Sequence, residues 1–267
     1  MSLTGKTLAS TYKSLLRVND DTNGVDATTE VVTDGEGTAS SISLSDDQLL
    51  VKPQNDDTTA AFNVQTKGGT SLLTVDSTNS AVKGTNSQYM NTQYAYFGVG
   101  ATDAIWAGSL ANTHYMIPFS NTTSAFTLSA IANLALGTGT DPATSLTISS
   151  TAMDVVQCYW YITDAIVIDK VSWWSAADAA TGDTTRAHLF SYDVVTTAGS
   201  TSGDLSNGAV IAASSDVTNA GYEQAYYNEM TISSASVAAG KVVLFTFRAD
   251  SVNSDYTINA TVKYHLA

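Results

Sequence analysis

Cysteine is almost missing from this chain: Cys158 is alone in 267 residues, so no intrachain disulfide can form. Histidine is scarce as well. His114, His188 and His265 lie far apart, and no CxxC or HxxxH spacing occurs. A structural metal site of the usual kind is therefore not expected. Cations are few, with 11 Lys plus Arg against 25 Asp plus Glu and a net charge of −14. A surface this poor in Arg and Lys cannot neutralise many phosphates, which excludes a nucleic-acid binder from the expected functions. It equally disfavours docking on an anionic membrane. No run approaches the roughly 18 apolar residues that a membrane span needs. The opening Met1-Ser2-Leu3-Thr4-Gly5-Lys6-Thr7 lacks the apolar core of a secretory signal, so a chain made in the cytosol is expected.

What remains is a neutral, hydroxyl-rich chain. Ser and Thr make up about a quarter of it, and only 13% of residues are charged, against roughly 25% in an average soluble domain. Hydrophobic residues reach 43%, enough for a sizeable core and against wholesale disorder. The length fits one large β domain, or one domain plus an appendage.

Three regions differ in composition. In residues 1–18, Leu8, Tyr12, Leu15 and Leu16 fall at helical spacing among Lys6, Lys13 and Arg17; this predicts a short helical anchoring arm. Residues 19–85 hold small β segments: Ser41–Leu44, Leu49–Val51, Ala61–Val64, Leu72–Val75 and Ala81–Val82. Turn chemistry separates them, as at Asp34-Gly35, Asn55-Asp56-Asp57 and Gly68-Gly69. Phe62 is the one aromatic residue there. So few apolar side chains cannot close a monomeric core, which predicts a turn-rich, intertwined β stem sharing its core with identical chains. Residues 90–267 carry all four tryptophans. Tyr256–His265 alternates with period two, and Val242–Phe247 is a continuous apolar run suited to a strand buried on both faces. Asp154–Ile162 and Ala165–Ile168 read as strands across a hairpin-sized gap, and Asn207-Gly208 reads as a type I′ turn. Eight or more strands without a long helix predict an all-β chain ending in an antiparallel jelly-roll β-sandwich. No Lys or Arg occurs between Lys83 and Lys170, which marks that stretch as a candidate subunit interface.

Chemistry-bearing motifs are weak. Gly5-Lys6-Thr7 lacks the upstream glycine and strand of a phosphate-binding loop. Asn19–Glu30 places oxygen side chains at positions one, three, five and twelve, with Gly24 at six, near the calcium-loop pattern. It has Asn at position one, Asp26 at an apolar position, and no helix after it. Cys158 lies in an apolar run where a thiol is inert, and the three histidines read as satisfied sheet residues. No nucleophile elbow occurs, and no spacing singles out a carboxylate pair for glycoside hydrolysis. No catalytic residue, metal or other cofactor is expected. In the doublets Trp173-Trp174 and Tyr226-Tyr227, one ring of each falls on either face of a strand. The outward ring is a candidate for glycan stacking or for a subunit contact.

Several stretches together resemble virion fibre and head-decoration proteins of tailed bacteriophages, marine phages in particular. Thr11–Leu16, Val31–Ser41 and Leu44–Asp47 resemble their leader, and Leu72–Val82 is similar to the turn-rich repeats of trimeric fibres. Tyr96-Phe97-Gly98, Gly203–Gly208 and Lys263-Tyr264-His265 resemble their β-sandwich heads. The resemblance implies a non-enzymatic virion structural protein, a homotrimeric capsid decoration (cement) or fibre protein assembled in the host cytoplasm. Its arm would attach to a major capsid protein or another virion protein, and its head would point outward. A tail-fibre module binding host glycan through Trp173 or Trp174 is the alternative. A polysaccharide depolymerase ranks behind both.

Overall fold

Short alternating segments bounded by Asp, Asn and Gly make strands nearly everywhere in this chain. A computed structural model describes residues 15–20, 22–100, 106, 108–119, 131–149, 151–177, 182–221, 223–251 and 256–267. The fold is all-β and antiparallel, in two compact units that divide between Asn91 and Thr92.

The first unit holds two small sheets. Strands β1 (Arg17–Val18), β2 (Glu30–Thr33), β3 (Ala39–Leu44) and β4 (Leu49–Val51) pair in chain order. Strands β5 (Phe62–Gln65), β6 (Ser71–Asp76) and β7 (Ala81–Lys83) form the other sheet, also in chain order. Side-chain oxygens set the turns. Asp34 accepts from the backbone N–H groups of Glu36 and Thr38 at 2.9 and 2.8 Å. Asp76 accepts from the Asn79 backbone at 3.0 Å, the Asn79 side chain at 2.8 Å and the Lys83 ammonium at 2.8 Å. These bonds hold the Asp76 carboxyl down at about 2, the Lys83 contact being the largest cause. Apolar burial is slight: Ala81 is the only buried hydrophobic residue among the described residues of this unit, beside buried Thr33 and Asp76. The arm expected over residues 1–18 lies mostly outside the described residues. Its end is not helical: Arg17 and Val18 pair with Thr33 and Val32.

The second unit is a sandwich with a third, irregular layer. Its strands are β8 (Thr92–Val99), β9 (Thr113–Ile117), β10 (Ala135–Thr138), β11 (Trp160–Tyr161), β12 (Ile166–Ala177), β13 (Thr184–Val194), β14 (Leu205–Ala213), β15 (Val217–Thr218), β16 (Gln224–Glu229), β17 (Thr231–Ile232), β18 (Ser236–Val237), β19 (Lys241–Ala249) and β20 (Tyr256–Leu266). One sheet runs β16-β12-β20-β8; the other runs β10-β9-β19-β13-β14-β17. Between them Trp173, Phe97, Phe245, Phe247, Tyr256 and Leu189 are fully buried. Trp106 donates its indole N–H to the Tyr256 carbonyl at 2.8 Å.

The far face of the larger sheet is also covered. Residues 139–149 cross it: Asp141 meets His188 at 3.3 Å, the Ala143 carbonyl accepts from the Tyr192 hydroxyl at 2.7 Å, and Leu146 bridges to Leu205. Hence Val242, Val243, Leu244, Phe245, Thr246 and Phe247 are all buried, and the continuous apolar run of β19 is a strand enclosed on both faces. Much of the cation-free stretch between Lys83 and Lys170 becomes interior in this way, since Ile131, Leu134, Leu136, Val155 and Cys158 are buried.

Three local expectations are corrected. Asp154–Ile162 is not one strand. Helix α1 (Ala152–Val155) and a 3-10 turn (Val156–Cys158) precede the two-residue β11. A helical turn brings Val155 and Cys158, three residues apart, to one buried side. Nor do Thr163-Asp164 make a hairpin: β11 pairs with β19 and β12 lies in the other sheet, so the chain crosses between sheets there. Asn207-Gly208 is not a turn either. Both sit inside β14, where the register with β13 shifts and Asn207 takes φ 51°. A Cβ on Gly208 would lie 2.4 Å from Tyr192 and 3.0 Å from the Thr144 Cα. The glycine is there for close packing at a bulge.

Candidate functional site

The outer face of the β16-β12-β20-β8 sheet carries four exposed aromatic residues, Trp174, Tyr227, Tyr94 and Tyr96. Strand alternation sends Trp173 into the core, fully buried, and Trp174 outward, about half exposed. Trp173 is therefore out of reach of any ligand, and the glycan candidate reduces to Trp174. Trp174 pairs in register with Tyr227 on β16 and Asn259 on β20. The Trp174 and Tyr227 rings lie 5.1 Å apart, tilted by 51°. Glu229 accepts from the Tyr227 hydroxyl at 2.7 Å and from the Lys170 ammonium at 2.5 Å. The Lys170 bond, then the Tyr227 bond, hold the Glu229 carboxyl below its ordinary range. On the edge strand β8, Tyr94 and Tyr96 also face outward and are about half exposed; they pair with Lys263 and Thr261. Lys263 in turn pairs in register with Lys170.

A second constellation is buried under the covering layer. His114 on β9 and His188 on β13 bring their rings to 5.1 Å. Both ring nitrogens of His114, Nδ1 of His188, Oγ1 of Thr246 and Nε of Arg248 have no hydrogen-bond partner among the described residues. Burial pushes the His114 pKa down to about 4, helped by His188 and Arg248; the Gly139 and Thr140 backbone, near the ring but short of hydrogen-bond geometry, opposes the shift. Burial also lowers His188, against the pull of Asp141. Both imidazoles are thus neutral near pH 7. Of the three histidines expected to be satisfied in the sheets, His265 is, with Nδ1 2.9 Å from Asp169. The other two are in strands but under-bonded.

Other candidates separate in space. Leu15 and Leu16 of the expected anchor are exposed; Leu8 and Tyr12 lie outside the described residues. In the calcium-like stretch, Asp20 Oδ1 accepts from the backbone of Thr22 and Asn23, and Asp26 Oδ1 from Thr28. These carboxylates cap turns. No group of three or more His, Cys, Asp or Glu suited to a metal occurs among the described residues. Cys158 is buried, and desolvation drives its thiol pKa far up, which keeps it from forming a thiolate. An open groove is lined by Gln93, Trp160, Thr163 and Tyr264, with Asp164 the one carboxylate among its described lining residues.

No protein-family model matches the chain, and no curated protein matches it in sequence.

Proposed function

We propose that this protein is a non-enzymatic structural component of a virion, a homotrimeric decoration or fibre protein with a jelly-roll head and a stem built from shared sheets. The observation that carries the reading is the apolar face of the β5-β6-β7 sheet, which no described residue covers. Phe62, Val75 and Val82 fall in one row across its three strands, with Val64 and Leu73 in the next. Phe62, Val64 and Val82 remain exposed, as do Ile42, Leu49 and Leu50 on the β1-β2-β3-β4 sheet. A three-stranded sheet needs a layer over its apolar face to be stable, and sister copies supply one at no cost in new sequence. The phage resemblance supports placing that assembly on a particle, where repeated copies bind multivalently. For the head, the eight longer strands β8, β9, β12, β13, β14, β16, β19 and β20, counted one to eight, give sheet orders 1-8-3-6 and 2-7-4-5. That order supports the jelly-roll reading, two Greek keys folded face to face.

Light scattering on the purified chain tests the assembly; three times 27.9 kDa is the expected mass. Phe62→Ser removes about 80 Å2 of apolar contact per chain, or about 2 kcal/mol, and shifts the mass toward monomer on dilution. A wild-type monomer at micromolar concentration would overturn the proposal. Immunogold labelling of particles then tests the virion assignment.

A further inference from the structure

We propose that the outer face of the β16-β12-β20-β8 sheet binds an acidic oligosaccharide, a chain of pyranose rings bearing carboxylates. Trp174, Tyr227, Tyr96 and Tyr94 would be its stacking platform and Lys263 its carboxylate partner. The inference rests on residues of the second unit alone and stands apart from the stem's assembly.

Four half-exposed rings share this face and come from three strands. Trp174–Tyr227 is one cluster. Tyr94 and Tyr96 form another on β8, two strands from β12, about 10 Å away at ordinary strand spacing. A single sugar reaches one cluster; a chain of sugars reaches both. The face between them is polar, with Asn259, Thr261 and Ser172 in register. Apolar ring faces alternating with hydrogen-bonding groups match a pyranose, which has an apolar C–H face and a rim of hydroxyls. The Tyr227 ring is held in place by its bond to Glu229, itself tied to Lys170. That limits the ordering cost of binding.

Charge selects the class of sugar. Glu229 neutralises Lys170, whereas Lys263, directly across from Lys170, has no ion-pair partner among the described residues. An unpaired ammonium beside aromatic rings, in a chain of net charge −14, is a local site for a carboxylate. Area argues against a second copy as the occupant. Four rings half exposed offer about 400 Å2, while a stable protein interface needs about 800 Å2 per partner. A patch of a few hundred Å2 is the size of a functional surface on a monomer.

The test is a titration of the full chain against a panel of acidic oligosaccharides, including oligogalacturonate and alginate oligomers, with neutral oligomers of equal length alongside. An acidic member binds, and Trp174→Ala and Tyr96→Ala each weaken it at least tenfold with unchanged melting temperature. Tyr227→Ser replaces Trp174→Ala if the latter fails to fold. Lys263→Gln weakens the acidic ligand and leaves neutral oligomers unaffected. No binding across the acidic panel overturns the proposal. So does equal affinity for the neutral oligomers, or binding insensitive to Trp174. A change of assembly mass in Trp174→Ala would assign the face to a second copy and overturn it too, whereas a monomeric wild type that still binds would sink only the assembly.

Discussion

Acidification to pH 4.5 should weaken the sandwich well before its carboxylates are protonated, through the buried pair His114–His188. His114 is fully enclosed, faces His188 at 5.1 Å and shares its surroundings with Arg248. Its pKa is about 4 in the fold and about 6.5 in an unfolded chain. The folded value is depressed, so above pH 6.5 neither state binds the proton and stability is complete. Between about 6.5 and 4 the unfolded chain is protonated and the folded one is not, and stability falls with pH; below 4 this group adds no further loss. A difference of about 2.5 pH units corresponds to about 3 kcal/mol, most of it lost by pH 4.5. His188 is lowered in the same direction and adds to the slope. Urea unfolding followed by tryptophan fluorescence at pH 7.5, 5.5 and 4.5 reads this directly, since Trp106, Trp160 and Trp173 are all in the core. His114→Met keeps a comparable volume and cannot titrate, so it should flatten more than half of the slope. A wild type equally stable at pH 7.5 and 4.5, or a variant with the full slope, would refute the reasoning.

Gly208→Ala should destabilise by about 1–3 kcal/mol through overpacking. The new methyl would meet the Tyr192 ring, which is buried and anchored by its hydroxyl to Ala143; equilibrium urea unfolding measures it. In the first unit, Asp76→Ala removes the acceptor for Asn79 and Lys83 and should speed tryptic cleavage at Lys83. Because the Asp76 carboxyl is depressed to about 2, the wild-type turn should resist at pH 5. It should loosen only as pH falls from about 4 through 2; equal cleavage of both proteins would show that the turn does not depend on this side chain.

Strands were legible where local chemistry meets no competing demand from the rest of the fold. Ser41–Leu44, Leu49–Val51 and Leu72–Val75 read correctly because each is a short β-prone run closed by turn residues, and nothing distant competes. The segment from Asp154 to Ile162 misled because Val155-Val156 and Tyr159–Ile162 favour strands locally. What decides its conformation is the layer it belongs to, which needs Val155 and Cys158 on one side. Asn207-Gly208 misled for a similar reason: the signal for a hairpin turn is also the signal for a bulge under a tyrosine. In the candidate site, the Trp173-Trp174 doublet gave one outward ring by alternation alone. Tyr94, Tyr96 and Lys263 join it only through the register of β8 against β20, which no local pattern encodes. The His114–His188 pair is likewise a product of register, its members 74 positions apart and separated by β19.

Burial divides the chain's tasks in a way composition alone does not. The described part of residues 15–91 keeps Phe62, Val64, Leu72 and Val82 exposed, while residues 92–267 enclose a continuous core and cover even the back of their larger sheet. A closed core leaves an outer face free to be selected for contact with something else. An apolar face left open is one that association would stabilise by burying it. Rings on the second unit and apolar rows on the first therefore stand in different settings. Trp174 and Tyr227 stand on a sheet whose other side is already filled by Trp173, so their exposure is not a deficit of folding. Phe62 and Val82 stand on a sheet whose apolar face no described residue buries, and that face is where the proposed assembly would bury area.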